Sequence, residues 1–187
     1  MIREVREGRP APAMTSIARI TIACPDRTGL IAEIAGCLFE LGANLGDASF
    51  AVLGAAAEFV AVAELPAGLG MRAVEERLRG LAVLKGAEIE VKPFTLSPVH
   101  GPSGQVTHRI AVSGADRPGL IARLCEVFAE FEANVVRLDS ERVPGSKGDS
   151  YVARFAVSLP PARAGACLAT VSNTAEGLQL TCRVEPA

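Results

Sequence analysis

The sequence is poor in the residues that build aromatic cores and catalytic sites. It has 187 residues, with seven Phe, one Tyr and no Trp. Hydrophobic residues still make up 49% of the chain, so we expect cores of Ala, Val, Leu and Ile. There are only two histidines, His100 and His108, and no Ser or Cys stands in a recognisable nucleophile motif. We therefore expect no catalytic residue and no enzymatic activity.

The charge and cysteine content exclude several further classes of protein. The net charge of -2 gives no electrostatic reason to expect direct binding of nucleic acid or of an anionic membrane. No apolar run is long enough to cross a bilayer, and residues 1–14 lack the apolar segment of a secretory signal. The five cysteines are odd in number and form no C-x-x-C motif, which argues against a disulfide framework and a metal site. We expect reduced, mostly buried thiols in a cytoplasmic protein without a cofactor.

One stretch of the sequence occurs twice, 90 positions apart. Residues 20–32 read ITIACPDRTGLIA, and residues 110–122 read IAVSGADRPGLIA. The identity continues downstream at Glu40, Ala43 and Asn44, which match Glu130, Ala133 and Asn134. Similarity at a fixed spacing indicates one structural unit used twice.

Hydrophobic periodicity predicts the same elements in both copies. Alternating patterns predict strands at 16–23, 44–53, 57–65 and 87–94, and again at 106–112, 134–143, 151–157 and 178–184. Helical spacing predicts helices from Leu30, from Met71, from Leu120 and over 161–175. This β-α-β-β-α-β order is typical of a ferredoxin-like α+β domain, with two helices on one face of a four-stranded antiparallel sheet. We predict a disordered leader at 1–14, a first domain at 15–94, a linker at 95–105 and a second domain at 106–187.

Two local features go beyond this plan. In the third predicted strand, Val60 and Val62 make the second face apolar as well, so we expect another sheet or subunit to cover it. Residues 144–149, PGSKGD, predict a loop that is longer and more mobile than its counterpart in the first copy.

The repeated turn has a structural interpretation and a functional one. In the structural interpretation, the carboxylates of Asp26 and Asp116 accept hydrogen bonds from the amides of Gly29 and Gly119 and cap the helices. The turn would then serve only to start a helix. Alternatively, the glycine allows close approach to a ligand, and the free amides of the helix attract a carboxylate. The Asn that opens the next strand adds donors and an acceptor suited to an amino acid, although Asn is also common after a helix.

The D-R-x-G-L turn, the helix and the following A-N resemble the ACT domain, a regulatory module that commonly binds amino acids. The segments AVLG at 51–54, EF at 58–59 and LKGAE at 84–88 resemble the glycine cleavage system transcriptional repressor family. The resemblance covers nearly all of residues 16–185. It implies a homo-oligomer that senses glycine or serine where two domains meet and acts on transcription through a partner transcription factor. The ligand-binding residues that it implies are Asp26, Arg27, Thr28, Gly29, Leu30, Asn44, Asp116, Arg117, Pro118, Gly119, Leu120 and Asn134.

Two other interpretations fit the same element order. An RNA-recognition domain would place aromatic residues on its central strands, but residues 20–23 and 110–113 contain none. A ligand-free ACT-like module for protein interaction or oligomerisation stays open, because every residue of the repeated motif also has a structural role.

Overall fold

The computed structural model describes residues 15–144 and 150–187. The predicted leader at 1–14 and residues 145–149 of the predicted loop lie outside this part of the chain. The chain divides into two compact units, the first ending at Pro98 and the second beginning at Val99.

The first unit contains four strands and two helices. Its elements are β1 Ser16–Pro25, α1 Leu30–Glu40, β2 Asn44–Leu53, β3 Ala56–Leu65, α2 Met71–Arg79, a short 3-10 turn Ala82–Leu84, and β4 Glu88–Pro93.

The second unit repeats this order. It begins with a 3-10 turn Pro102–Gly104 and continues with β5 His108–Ala115, α3 Leu120–Glu130, β6 Asn134–Val143, β7 Ser150–Ser158, α4 Ala164–Gly177 and β8 Thr181–Pro186.

Both sheets are antiparallel and have the same strand order. The order is β2-β3-β1-β4 in the first unit and β6-β7-β5-β8 in the second. The first strand of each unit is therefore central, and its pairing places Ile20 opposite both Ala61 and Val91. The predicted α+β class and the doubled ferredoxin-like arrangement are confirmed.

Each core is formed where the two helices of a unit pack on one face of its sheet. In the first unit, Ile20 and Ile22 of β1 share a cluster with Ile34 and Leu38 of α1 and with Leu78 of α2. Burial of an aliphatic side chain of this size contributes about 1.5–3 kcal/mol. The expectation of mostly buried cysteines is also confirmed, since three of the five, Cys24, Cys37 and Cys167, are buried.

The predicted start of the last strand at residue 178 is wrong. Leu178 and Leu180 fit the alternation that leads into β8, but helix α4 continues to Gly177 and β8 begins at Thr181. The intervening Gln179 has a φ of 60°, a left-handed conformation in which the chain turns out of the helix. Leu180 is nevertheless buried.

The face of each sheet opposite the helices is called the open face below. On the open face of the first unit, Val60 is 39% exposed and Val62 is partly buried. The covering of these two valines by another sheet or subunit stays a prediction.

Candidate functional site

The two repeated turns have the same backbone geometry. Gly29 and Gly119 occupy the N-cap positions of α1 and α3, with φ values of 89° and 82°. Neither helix has a side-chain cap hydrogen bond, so the interpretation in which Asp26 and Asp116 cap the helices is wrong. A glycine fits here because left-handed backbone is costly for residues with a Cβ atom. Nothing in the structure lies within 4 Å of a Cβ atom added at either glycine.

We expect Gly29→Ala to lower the free energy of unfolding by about 1 kcal/mol, because alanine must adopt the left-handed conformation. Gly36→Ala is the matched control, since Gly36 lies inside α1 and an added Cβ also meets nothing within 4 Å. That control should raise the free energy of unfolding by about 0.5–1 kcal/mol through helix propensity. Urea denaturation measures both variants, and equal effects of the same sign would contradict the backbone explanation.

The arginine of each turn connects it to the segment before the last strand of the unit. Arg27 donates hydrogen bonds from Nη1 to the Val83 carbonyl at 2.8 Å and from Nη2 to the Lys85 carbonyl at 3.3 Å. Arg117 donates from Nη2 to Oε1 of Gln179 at 2.6 Å. Both arginines therefore hold the turn in place in addition to any role toward a ligand.

A cavity of about 270 Å³ lies at the turn of the second unit. All five predicted turn residues line it, together with four residues that sequence reasoning missed: Ile121 and Ala122 of α3, Arg142 of β6 and Tyr151 of β7. Oδ2 of Asp116 is 2.7 Å from Nη2 of Arg142. The predicted residues in this cavity are Asp116, Arg117, Pro118, Gly119 and Leu120.

The charges around this cavity complement those of a free amino acid. The N-terminus of α3 carries partial positive charge and attracts a carboxylate. The carboxylate of Asp116 can pair with an ammonium group. The pair with Arg142 is largely exposed, and an ion pair of that kind contributes only about 0–1 kcal/mol. Asp116 can therefore exchange this partner for a ligand at little cost.

The first unit has different residues at the positions that correspond to Arg142 and Tyr151. Strand pairing places Arg142 opposite Tyr151 in the second unit and Val52 opposite Ala57 in the first. The first turn thus lacks both the guanidinium group and the phenol ring beside its aspartate. Its neighbour Cys24 is buried, and this burial raises the pKa of the thiol, which keeps the sulfur protonated and weakly nucleophilic at neutral pH.

The asparagines lie at the opposite end of each sheet from the turns. Asn134 pairs with Ser158, whereas Ala115, which precedes the turn, pairs with Ser150. These two positions on β7 are eight residues apart, or about 26 Å at 3.3 Å per residue. Asn44 in the first unit pairs with Glu64, eight residues from the partner of Pro25. Within one unit, the structure therefore does not bring the turn and the Asn together.

The two asparagines also differ in their contacts. Nδ2 of Asn134 donates a hydrogen bond to the carbonyl of Ser103 at 2.7 Å, so the 3-10 turn of the predicted linker occupies one of its donors. The side chain of Asn44 has no such partner within residues 15–144 and 150–187. The sequence carried no signal for the contact with Ser103 beyond the Pro- and Gly-rich composition of the linker.

Two family models described as ACT domain match the chain, one over residues 16–92 and the other over residues 108–161. The chain belongs to the ACT-domain family. The first match spans the β-α-β-β-α-β unit from β1 to β4, the second spans β5 to β7 of the other unit, and each contains one of the repeated turns. Comparison with curated proteins gives no match.

Solved structures share the fold of this tandem ACT protein over most of its length. A protein of unknown function from Galdieria sulphuraria has a TM-score of 0.72 and 20% identity, with 93% of this chain and 99% of that chain covered. A protein provisionally assigned as a glycine cleavage system transcriptional repressor has a TM-score of 0.60 and 17% identity, with 93% and 98% covered. At these identities the likeness establishes the fold alone.

The described residues contain no cluster of three or more His, Cys, Asp or Glu that could hold a metal ion. No helix in this part of the chain has the length and apolar character needed to span a membrane.

Proposed function

We propose that this tandem ACT protein is a non-enzymatic regulator that binds a small amino acid, glycine or serine, and signals through protein contacts. The observation that carries the proposal is the cavity at the second turn. It combines a helix N-terminus with the carboxylate of Asp116, and this combination suits the carboxylate and ammonium groups of an amino acid. Its volume of about 270 Å³ favours a small ligand over a drug-sized one.

In this proposal the turn of the second unit is the main binding element. Asp116, Arg117, Pro118, Gly119 and Leu120 contact the ligand, and Arg142 and Tyr151 form the wall of the site. The corresponding first-unit set, Asp26, Arg27, Thr28, Gly29 and Leu30, binds more weakly or not at all, because Val52 and Ala57 replace the polar wall.

The separation of about 26 Å between turn and Asn along one sheet adds a condition to the proposal. A site that contains both must take them from two different ACT domains, in one chain or in two copies of a homo-oligomer. A ligand held in this way favours the paired arrangement of domains, and that difference in affinity is the regulatory signal. Of the two asparagines, Asn44 is the better candidate because its side-chain amide is not engaged by the linker.

We further propose that the signal reaches transcription through a partner transcription factor in the cytoplasm. The resemblance to the glycine cleavage repressor family supports this part, and the free thiols fit a reducing compartment. A ligand-free interaction module is the alternative function, and the exposure of Val60 on the open face of the first unit favours it.

A thermal-shift screen against the twenty amino acids tests the proposed function. A ligand at about 100 times its Kd stabilises the folded state by about 2.7 kcal/mol, so we expect a rise in Tm with glycine or serine. Asn44→Ala should reduce this shift more than Asn134→Ala, since Asn134 already donates to Ser103. No shift with any amino acid at millimolar concentration would contradict the sensor function and favour the ligand-free module.

A further inference from the structure

Four arginines lie on the open face of the second unit, one on each strand. They are Arg109 of β5, Arg137 of β6, Arg154 of β7 and Arg183 of β8, and all four line one cavity of about 580 Å³. This cavity is formed on the sheet surface, and the residues that line it do not include the repeated turn.

Strand register places two small residues between the arginines. Ala111 pairs with Arg154 on one side and with Arg183 on the other. Ala156 pairs with Arg109 on one side and with Arg137 on the other. Strands are about 4.8 Å apart, so the two arginines of each row are separated by about 10 Å across the sheet. The alanines thus form a shallow floor between two pairs of guanidinium groups.

The open face of the second unit carries more positive than negative charge, with four arginines against the three carboxylates of Asp139, Glu141 and Glu185. Nη1 of Arg154 is 2.6 Å from Oε1 of Glu141. Among residues 15–144 and 150–187, the guanidinium groups of Arg109, Arg137 and Arg183 have no hydrogen-bond or ion-pair partner. The cavity lining also includes the carboxylates of Asp139 and Glu185, which strand pairing places opposite Arg154 and Arg109. Strand pairing places no carboxylate opposite Arg137 or Arg183. The chain as a whole is acidic, with a net charge of -2, so this positive patch is a local feature.

The first unit shows that the fold does not require this cluster. Its matching positions carry Arg19, Asp47, Val60 and Glu90, as strand pairing and the repeat spacing place them. Arg19 there pairs with Glu90 at 3.2 Å. The arginine cluster is therefore specific to the second unit.

We propose that the open face of the second unit binds a small molecule that carries at least two phosphate groups. Guanidinium groups bind phosphate oxygens in a bidentate manner, and the two pairs can each hold one end of an oligophosphate. The apolar surface of Ala111, Ala156 and Val152 can contact the remainder of the ligand. The one aromatic residue in the lining, Phe155, is only 2% exposed and offers no ring face for base stacking, which disfavours single-stranded RNA as the occupant.

Isothermal titration of the full chain with pyrophosphate, ATP and AMP at low salt tests this site. We expect pyrophosphate and ATP to bind and AMP to bind at least about tenfold more weakly, because AMP can engage only one arginine pair. Tight binding of pyrophosphate would identify the phosphates alone as the recognised group, and a further gain with ATP would show that the floor contacts the nucleoside.

Arg183→Gln and Arg137→Gln should each weaken binding of ATP at least about tenfold. Arg19→Gln, on the open face of the first unit, is the matched control and should leave the affinity unchanged. Asp116→Asn should also leave it unchanged, so failure of the amino-acid site and failure of this site are distinguishable. Absence of heat with pyrophosphate and ATP at millimolar concentration would overturn the proposal. So would a loss of ATP affinity in Arg19→Gln equal to that in the Arg183 and Arg137 variants. A single-stranded oligonucleotide that binds more tightly than ATP would overturn it as well.

Discussion

Asp116→Asn is expected to weaken binding of glycine or serine by about 10- to 100-fold, which corresponds to the loss of a charge-assisted hydrogen bond. The carboxylate of Asp116 lines the cavity at the start of α3, where it can pair with the ammonium group of the ligand. Asparagine has a similar shape but no charge, so the turn keeps its backbone geometry. Titration calorimetry or the ligand-induced shift in Tm measures the loss.

Two control variants separate this role from a structural one. Arg142→Gln removes the 2.7 Å ion pair with Asp116 but leaves the carboxylate in place and keeps a polar side chain at the wall, so affinity should fall much less than in Asp116→Asn. Asp26→Asn makes the same change in the first unit and should have the smaller effect, because Val52 and Ala57 stand at the wall positions there. If Arg142→Gln lowers affinity as much as Asp116→Asn, the ion pair supports the fold of the site and the carboxylate is not the ligand contact.

Most of the fold could be predicted because the local pattern and the tertiary environment agree in both copies. In β3, Phe59 is buried against the helices while Val60 is on the open face, as strict alternation requires. The prediction failed at Leu178, where an alternating pattern continues back across the end of a helix. Only the left-handed backbone of Gln179 separates helix from strand there, and a hydrophobic pattern carries no information about that dihedral angle.

The candidate site could be predicted only in part, for a similar reason. The turn residues are consecutive in the sequence, so the repeat made them recognisable. Arg142 and Tyr151 reach the same cavity from two other strands, and no local motif connects them with the turn. The one feature of the sequence that could have indicated these two residues is a difference between the copies, since the first unit has Val52 and Ala57 at the matching positions. The contact between Asn134 and Ser103 depends on the path of the linker and had no counterpart in the repeat.

Phe155→Ala is expected to lower the free energy of unfolding of the second unit by about 3–5 kcal/mol. Phe155 is only 2% exposed, and its ring meets that of Phe128 edge to face, with centroids 5.2 Å apart. In a chain with seven Phe and no Trp, the rest of this core consists largely of smaller side chains that cannot refill the space of a lost ring. The variant therefore loses the buried area, the aromatic pair and the packing around the cavity that remains.

Phe39→Ala is the control with the same chemical change on a surface. Phe39 lies on α1 and is 81% exposed, so its loss should change stability by less than about 0.5 kcal/mol. Circular dichroism in urea measures both variants, since the chain has no Trp for fluorescence. Amide hydrogen exchange should show that protection falls in β5, β7 and α3 of the Phe155 variant. An equal loss of unfolding free energy in the two variants would contradict the central position that the structure gives to Phe155.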